Sequence, residues 1–159
     1  MRRSPRPYVL AGALFVSCGG LTVGSDRANA QTAQASSRVT PVASVLQVMN
    51  VLTNPASEVV FSAVSTTTSS RGVETVAPKD DRAWLTVVDN AAMLVESGNL
   101  LLMGSRVRDE GDWVRMTREF VDASTVSMNA AKAKDVNALY SSFDRLYLSC
   151  EHCHVKYFP

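Results

Sequence analysis

The residues with the most chemistry lie in one short run at the end of the sequence, CEHCHVKYFP, residues 150–159. It packs Cys150, His152, Cys153 and His154 into five positions. Groups of these types can bind a metal, cycle between thiol and disulfide, or hold a prosthetic group. Their spacing sorts them. On a helix, residues three and four apart share a face, so Cys150, Cys153 and His154 converge while His152 points elsewhere. A tetrahedral zinc site needs four ligands, usually from two separated pairs. Beyond this run the chain has only Cys18 and no further histidine. A thioredoxin-like redox pair belongs in a βαβ setting, for which the sequence shows no pattern. A disulfide between cysteines three apart closes a trivial loop and stabilises little.

Cys-x-x-Cys-His is also the attachment signature of c-type haem. Two thiols one helical turn apart can reach two vinyl groups on one edge of a porphyrin, and the next residue turns an imidazole towards the iron. Cys150 and Cys153 are therefore expected to hold one covalent haem c by thioethers, with His154 as the proximal iron ligand. His152 is expected on the surface near the haem edge.

These residues need elements to position them. Val136, Leu139, Phe143, Leu146, Cys150, Cys153 and Tyr157 step by three and four, which predicts a helix with both cysteines on its core-facing stripe. Three earlier segments carry similar stripes. The first has Val42, Val45, Leu46, Met49, Leu52, Ala56, Val59, Val60 and Ala63, with Pro55 off the apolar face, where it begins a fresh turn or kinks the helix. Residues 66–79 read as a long connection. A second helix is predicted from Asp80 or Asp81, both good N-caps, with Trp84, Val87, Val88, Ala91, Leu94, Val95 and Leu101 inward and Gly98 as a weak point. Residues 104–111 make a turn, and a third helix spans about 112–132, with Trp113, Met116, Phe120, Ala123, Ser127 and Ala130 on one side. Four amphipathic segments with sparse strand-like alternation predict an all-α fold, an antiparallel up-down-up-down four-helix bundle with haem attachment at its C-terminal end.

The first thirty residues have the layout of a secretory signal peptide: Arg2, Arg3 and Arg6, an apolar run from Tyr8 to Val16, and the small-residue site Ala28-Asn29-Ala30. That run is too short to span a bilayer. Cleavage after Ala30 is expected, leaving residues 31–159 as the functional domain in the periplasm, with lipid anchoring at Cys18 as the alternative. The whole chain carries 16 basic and 15 acidic residues, a net charge of +1. Residues 1–30 contain four Arg and one Asp, so the remainder has about −2. No basic block suggests nucleic acid, and no later segment reads as a stable membrane span. The two cysteines left exclude a disulfide-rich scaffold.

An exported helical chain with CxxCH near its C-terminus resembles the class II cytochromes c, which include cytochrome c prime. The specific part is Cys150, Cys153 and His154 followed by the aromatic Tyr157. The family commonly has a basic residue straight after that aromatic; here Phe158 follows it and Lys156 precedes it. The resemblance implies an electron carrier rather than an enzyme, served by redox partner proteins. Relatives often pair through their first two helices, which makes a homodimer one of the implied assemblies.

The resemblance also raises the question of the sixth iron position, which some members leave open to bind NO or CO and others fill with a first-helix methionine. In an antiparallel arrangement Met49, Met103 and Met116 fall near the haem end. Met49 stands on the first apolar stripe, about 12 Å into its helix at the usual rise, and is expected as the distal ligand, with Met103 and Met116 as rivals. Leu52, Trp113 and Phe120 are expected to wall the site, and Arg38, Arg106 and Lys156 are candidates to approach the propionates. The competing readings are a five-coordinate gas-binding haem protein and a non-haem helical protein that uses the cysteines for metal or redox work.

Overall fold

A computed structural model describes residues 40–158. The expected signal peptide, its cleavage after Ala30, Cys18 and Arg38 all lie outside the described residues.

The helical expectation holds for most of the chain, but the all-α four-helix bundle does not, and two features overturn it. The first is a β-hairpin in the segment expected to be a loop. β1 (Ser65–Ser69) pairs antiparallel with β2 (Gly72–Val76), in a register that sets Thr66 opposite Thr75 and Ser69 opposite Gly72. Three consecutive threonines in β1 favour extended backbone because their branched side chains are stiff. Gly72 supplies the positive φ of 123° that follows the turn. Both strands are exposed throughout, so no apolar alternation betrays them in the sequence.

The second feature lies in the first amphipathic segment, which is not one regular helix. It begins as α1 (Val45–Val48), continues as a π-helical turn over Met49–Thr53, and resumes as α2 (Asn54–Ser62). Ser44 caps α1 reciprocally with Gln47 in a capping box. Pro55 sits in the first turn of α2. It has no N–H to give to the preceding turn, and the wider π-turn just before it accommodates the missing bond. The buried positions are consequently Val48, Thr53, Ala56, Val60 and Val64, with a step of five across the π-turn. Val42 and Leu46, expected inward on a constant helical period, are exposed.

The three remaining helices are long and well capped. α3 (Asp81–Leu101) starts at Asp80, whose carboxylate accepts from the Ala83 N–H at 2.8 Å. α4 covers Asp112–Lys132 and α5 covers Val136–Tyr157. The turn between them is compact. Lys134 adopts φ 54°, Lys134 N–H donates to Ala131 O and Asp135 N–H to Ala130 O. That closes α4 as a Schellman motif, and the Asp135 side chain then caps α5 by accepting from Ala138 N–H at 2.9 Å. Each such N-cap contributes about 1 kcal/mol.

α3 packs on α2 and α4, and α4 packs on α5. Gly98 is what lets α3 and α4 approach: a Cβ there would stand 2.5 Å from Val121 Cγ2. The first segment and α5 come together through side chains rather than close backbone packing. Phe61 of α2 meets Phe143 of α5 edge-on with ring centroids 5.3 Å apart. Towards the other end of α5 this fourth side opens into a cleft. Among the described residues no helix is long and apolar enough to cross a membrane.

Candidate functional site

The cleft is narrow, with a volume of about 50 Å³, below the roughly 300–1,000 Å³ of usual ligand pockets. α5 contributes Cys150, Cys153 and His154 to its lining, and the π-turn contributes Met49 and Thr53. Leu101 of α3 and Met116, Thr117 and Phe120 of α4 complete it. The structure thus brings Met49 into one cleft with Cys150, Cys153 and His154, from opposite ends of the described chain.

Their depths differ. The buried residues of α5 are Leu139, Ser142, Leu146 and Ser149, one position off the expected stripe for the two serines. Cys150 and Cys153 are half-buried at the border of the core rather than inside it, and both are free thiols. Burial pushes both thiols above their ordinary value, so they stay protonated near neutral pH. His154 is exposed at the rim, Met49 is half-buried, and Thr117 is only 2% exposed at the floor. His152 is exposed and does not line the cleft.

The π-turn gives the first segment its role in the site. Met49 and Thr53 both reach the cleft, and the Thr53 hydroxyl donates to Val48 O five residues back at 3.5 Å. A regular helix through this stretch would carry the two residues at a different phase relative to α2. π-Turns inside helices frequently occur at functional sites for this reason.

The end of α5 is held by a cluster on the loop before α4. Tyr157 packs edge-on against Trp113 with centroids 5.0 Å apart, and its hydroxyl donates to Asp109. The same carboxylate accepts from the backbone N–H groups of Gly111 at 2.9 Å and Trp113 at 3.1 Å. The Trp113 indole N–H donates to Leu101 O at 3.0 Å, tying the loop to α3. Lys156 pairs with Asp112. Burial, with the bond to Asp109 second, pushes the Tyr157 phenol up to about 12. The Tyr157 hydroxyl holds Asp109 below the usual aspartate value, and Lys156 does the same for Asp112.

Several expectations change here. Met116 lines the cleft and Met103 does not. Phe120 forms part of the wall, whereas Leu52 and Trp113 pack in the adjacent apolar cluster with Val48 and Leu101. Arg106 is buried, donating to Ala43 O at 2.9 Å and Leu100 O at 3.1 Å, so it ties the start of α1 to the end of α3. Thr53 and Thr117 were not singled out from the sequence. A constant helical period hides Thr53, and Thr117 is polar at a position one turn after Trp113 that proves to be core.

Among the described residues no three His, Cys, Asp or Glu side chains stand close enough to hold a metal ion by themselves. The donor set fits a haem better than a bare ion. A porphyrin brings four equatorial nitrogens, leaving the iron short only of axial ligands, and imidazole and thioether are among the groups that fill them. Cys150 and Cys153 would hold the group covalently, and His154 and Met49 would be available as ligands to its iron. The remaining wall is mostly apolar, which limits water at the site. No protein-family model matches the chain, and comparison with curated proteins and with solved structures found no significant match.

Proposed function

We propose that this protein is an exported c-type cytochrome that carries single electrons, similar in its site to the class II cytochromes c. Haem c is held by thioethers from Cys150 and Cys153, with His154 as proximal ligand and Met49 as distal ligand. The observation that carries this reading is that Met49 and the CxxCH residues line one cleft, although nearly the whole described chain separates them.

When bound, the iron supplies a one-electron ferrous/ferric couple. The chain's residues then do the rest. The two cysteines fix the group covalently, so it is not lost in either oxidation state. His154 at the rim and Met49 deeper in the cleft supply two neutral ligands, a pair that favours reduced iron more than anionic ligands do. Leu101 and Phe120 present apolar surface towards the site and keep water from it. The loop cluster around Asp109 and Trp113 fixes the last turn of α5, and so the direction in which His154 projects. Placement in the periplasm follows from the signal-peptide layout of residues 1–30, and the redox partner is a protein still to be identified.

The test is an optical spectrum of both oxidation states, taken on protein matured in a host that can export it and attach haem. Low-spin spectra in both states support the reading. A high-spin, five-coordinate ferrous form would remove Met49 from the iron and favour a protein that binds NO or CO. Acid–acetone extraction gives the covalent half of the answer: haem that leaves with the solvent returns the cysteines to metal or redox roles.

A further inference from the structure

Most buried helical threonines and serines among the described residues bond back to a carbonyl, and two in α4, Thr117 and Ser124, do not. Thr86 donates back to Arg82 O at 3.0 Å and Thr125 to Val121 O at 2.8 Å. Ser97, Ser142 and Ser149 donate to carbonyls three residues back at 2.8, 2.6 and 2.6 Å. Thr117 is 2% exposed, yet its hydroxyl has no hydrogen-bond partner. Leaving a buried hydroxyl unsatisfied costs about 1–3 kcal/mol, so a partner is expected.

Contacts across the α4–α5 pair show where that partner would stand. Ser127 meets Ser142 at 2.8 Å and Trp113 meets Tyr157 at 5.0 Å, which sets the antiparallel register. Between those two points Thr117 falls level with the stretch that holds Cys150 and Cys153. Both Thr117 and His154 line the cleft, Thr117 buried and His154 exposed. Met49 lines the same cleft from the π-turn, so its thioether and the Thr117 hydroxyl border one space. A threonine on a helix has two accessible χ1 rotamers, so the hydroxyl can swing into the cleft at little cost.

We propose that the Thr117 hydroxyl donates a hydrogen bond to the thioether sulfur of Met49 and so sets how strongly that sulfur holds ferric iron. The inference rests on the axial assignment above. A thioether is a weak acceptor, and donation to it draws lone-pair density away from the metal. Ferric iron depends on that density more than ferrous iron, so the bond favours the reduced state.

The experiment compares reduction potentials and ferric spectra of the matured wild type, Thr117→Val, Thr117→Ser and Ser124→Ala. Ser124 is the control: its hydroxyl is also buried without a partner, but it does not line the cleft. Thr117→Val is expected to lower the ferrous-to-ferric ratio at the wild-type midpoint about threefold, or about 28 mV at 59 mV per tenfold for one electron. The iron–sulfur charge-transfer band should shift with it. Thr117→Ser, which keeps the hydroxyl, and Ser124→Ala should both match the wild type. A low-spin wild type whose potential and band are unchanged in Thr117→Val overturns the proposal and leaves the axial reading standing. So does a Thr117→Ser shift as large as that of Val, which would mark the effect as packing. A five-coordinate or haem-free wild type overturns both.

Discussion

The two ends of the α4–α5 hairpin are built from similar residues and finished differently. Near the connecting turn, Ser127 and Ser142 bond each other at 2.8 Å, and Phe61 closes on Phe143. Val64, Trp84, Val87, Ala131 and Leu139 belong to a buried apolar cluster there. Lys134 even bridges the turn to Asp81 at 2.7 Å, although exposed pairs of this kind contribute little. At the other end a cleft opens between α5 and the first segment, two methionines line it, and Thr117 has no partner. The first end is complete with protein atoms alone. The second leaves a cleft and an unpartnered buried hydroxyl among its protein atoms. Ser124 is the exception, an orphan hydroxyl outside the cleft that nothing in the structure explains.

That contrast breaks most visibly at the cysteines. Replacing Cys150 and Cys153 together by Ala should abolish covalent attachment, so that all haem moves into acid acetone. Both side chains lie at the border of the core, so the helical signal in circular dichroism should persist. Loss of helix together with loss of haem would mean that the two ends are not independent.

Next in size comes a pair of truncations, one at each end. Leu139→Ala deletes a fully buried side chain at the closed end and should cost about 2–5 kcal/mol in denaturant unfolding, with unchanged optical spectra. Met49→Ala should do the reverse. Its side chain is half-buried, so the loss of stability is smaller, but the ferrous spectrum should become high-spin. Met116→Leu should leave the spectrum low-spin, which separates the two methionines of the cleft.

A finer comparison concerns the hydroxyls. Ser142→Ala removes a bonded hydroxyl and leaves Ser127 with its weaker bond to Ala123 O at 3.4 Å, a loss of about 1 kcal/mol. Ser124→Ala removes an unpartnered one and should be neutral or stabilising by denaturant midpoint. Thr117→Val completes the series, since its effect should show in the redox couple.

The closed end was the easier to read in the sequence. Asp80 was one of the two caps expected for the second predicted helix, and the stripes of α3 and α4 repeat without interruption. CxxCH was legible because its spacing matches one turn of helix. The cleft end was harder because its features depend on breaks in period. A π-turn advances the buried face by five residues, so Val48 and Thr53 replace Leu46 and Leu52 as core positions, and a constant period cannot register this. The hairpin was illegible for another reason: exposed on both faces, it leaves no alternation to find. Met49 was singled out by its place on the first apolar stripe and by the family resemblance, and it lines the cleft from the start of the π-turn. Thr117 could not be found, because an unmade hydrogen bond leaves no mark in a sequence.

The smallest expected effect is acid loosening of the last turn of α5. Asp109 and Asp112 have carboxyls held below the ordinary aspartate value of 3.8, chiefly by Tyr157 and Lys156 respectively. A depressed carboxylate stabilises the fold above its unfolded value, and that contribution disappears as pH falls through the folded one. The latch should therefore be intact at neutral pH and weaken only below about pH 3.8. Tyr157 has the opposite sign. Its phenol is raised to about 12, so the neutral form suits the fold, and its contribution holds up to the ordinary value of 10.0 and is lost between there and 12. The emission of Trp113, packed on Tyr157, is a direct reporter of this turn once measured against Trp113→Phe to remove the Trp84 background. Asp109→Asn should flatten the acid limb and leave Ser127, Ser142 and the closed end untouched. An acid limb unchanged in that variant would show that the end of α5 is held by apolar packing on Trp113, with the carboxylates as bystanders.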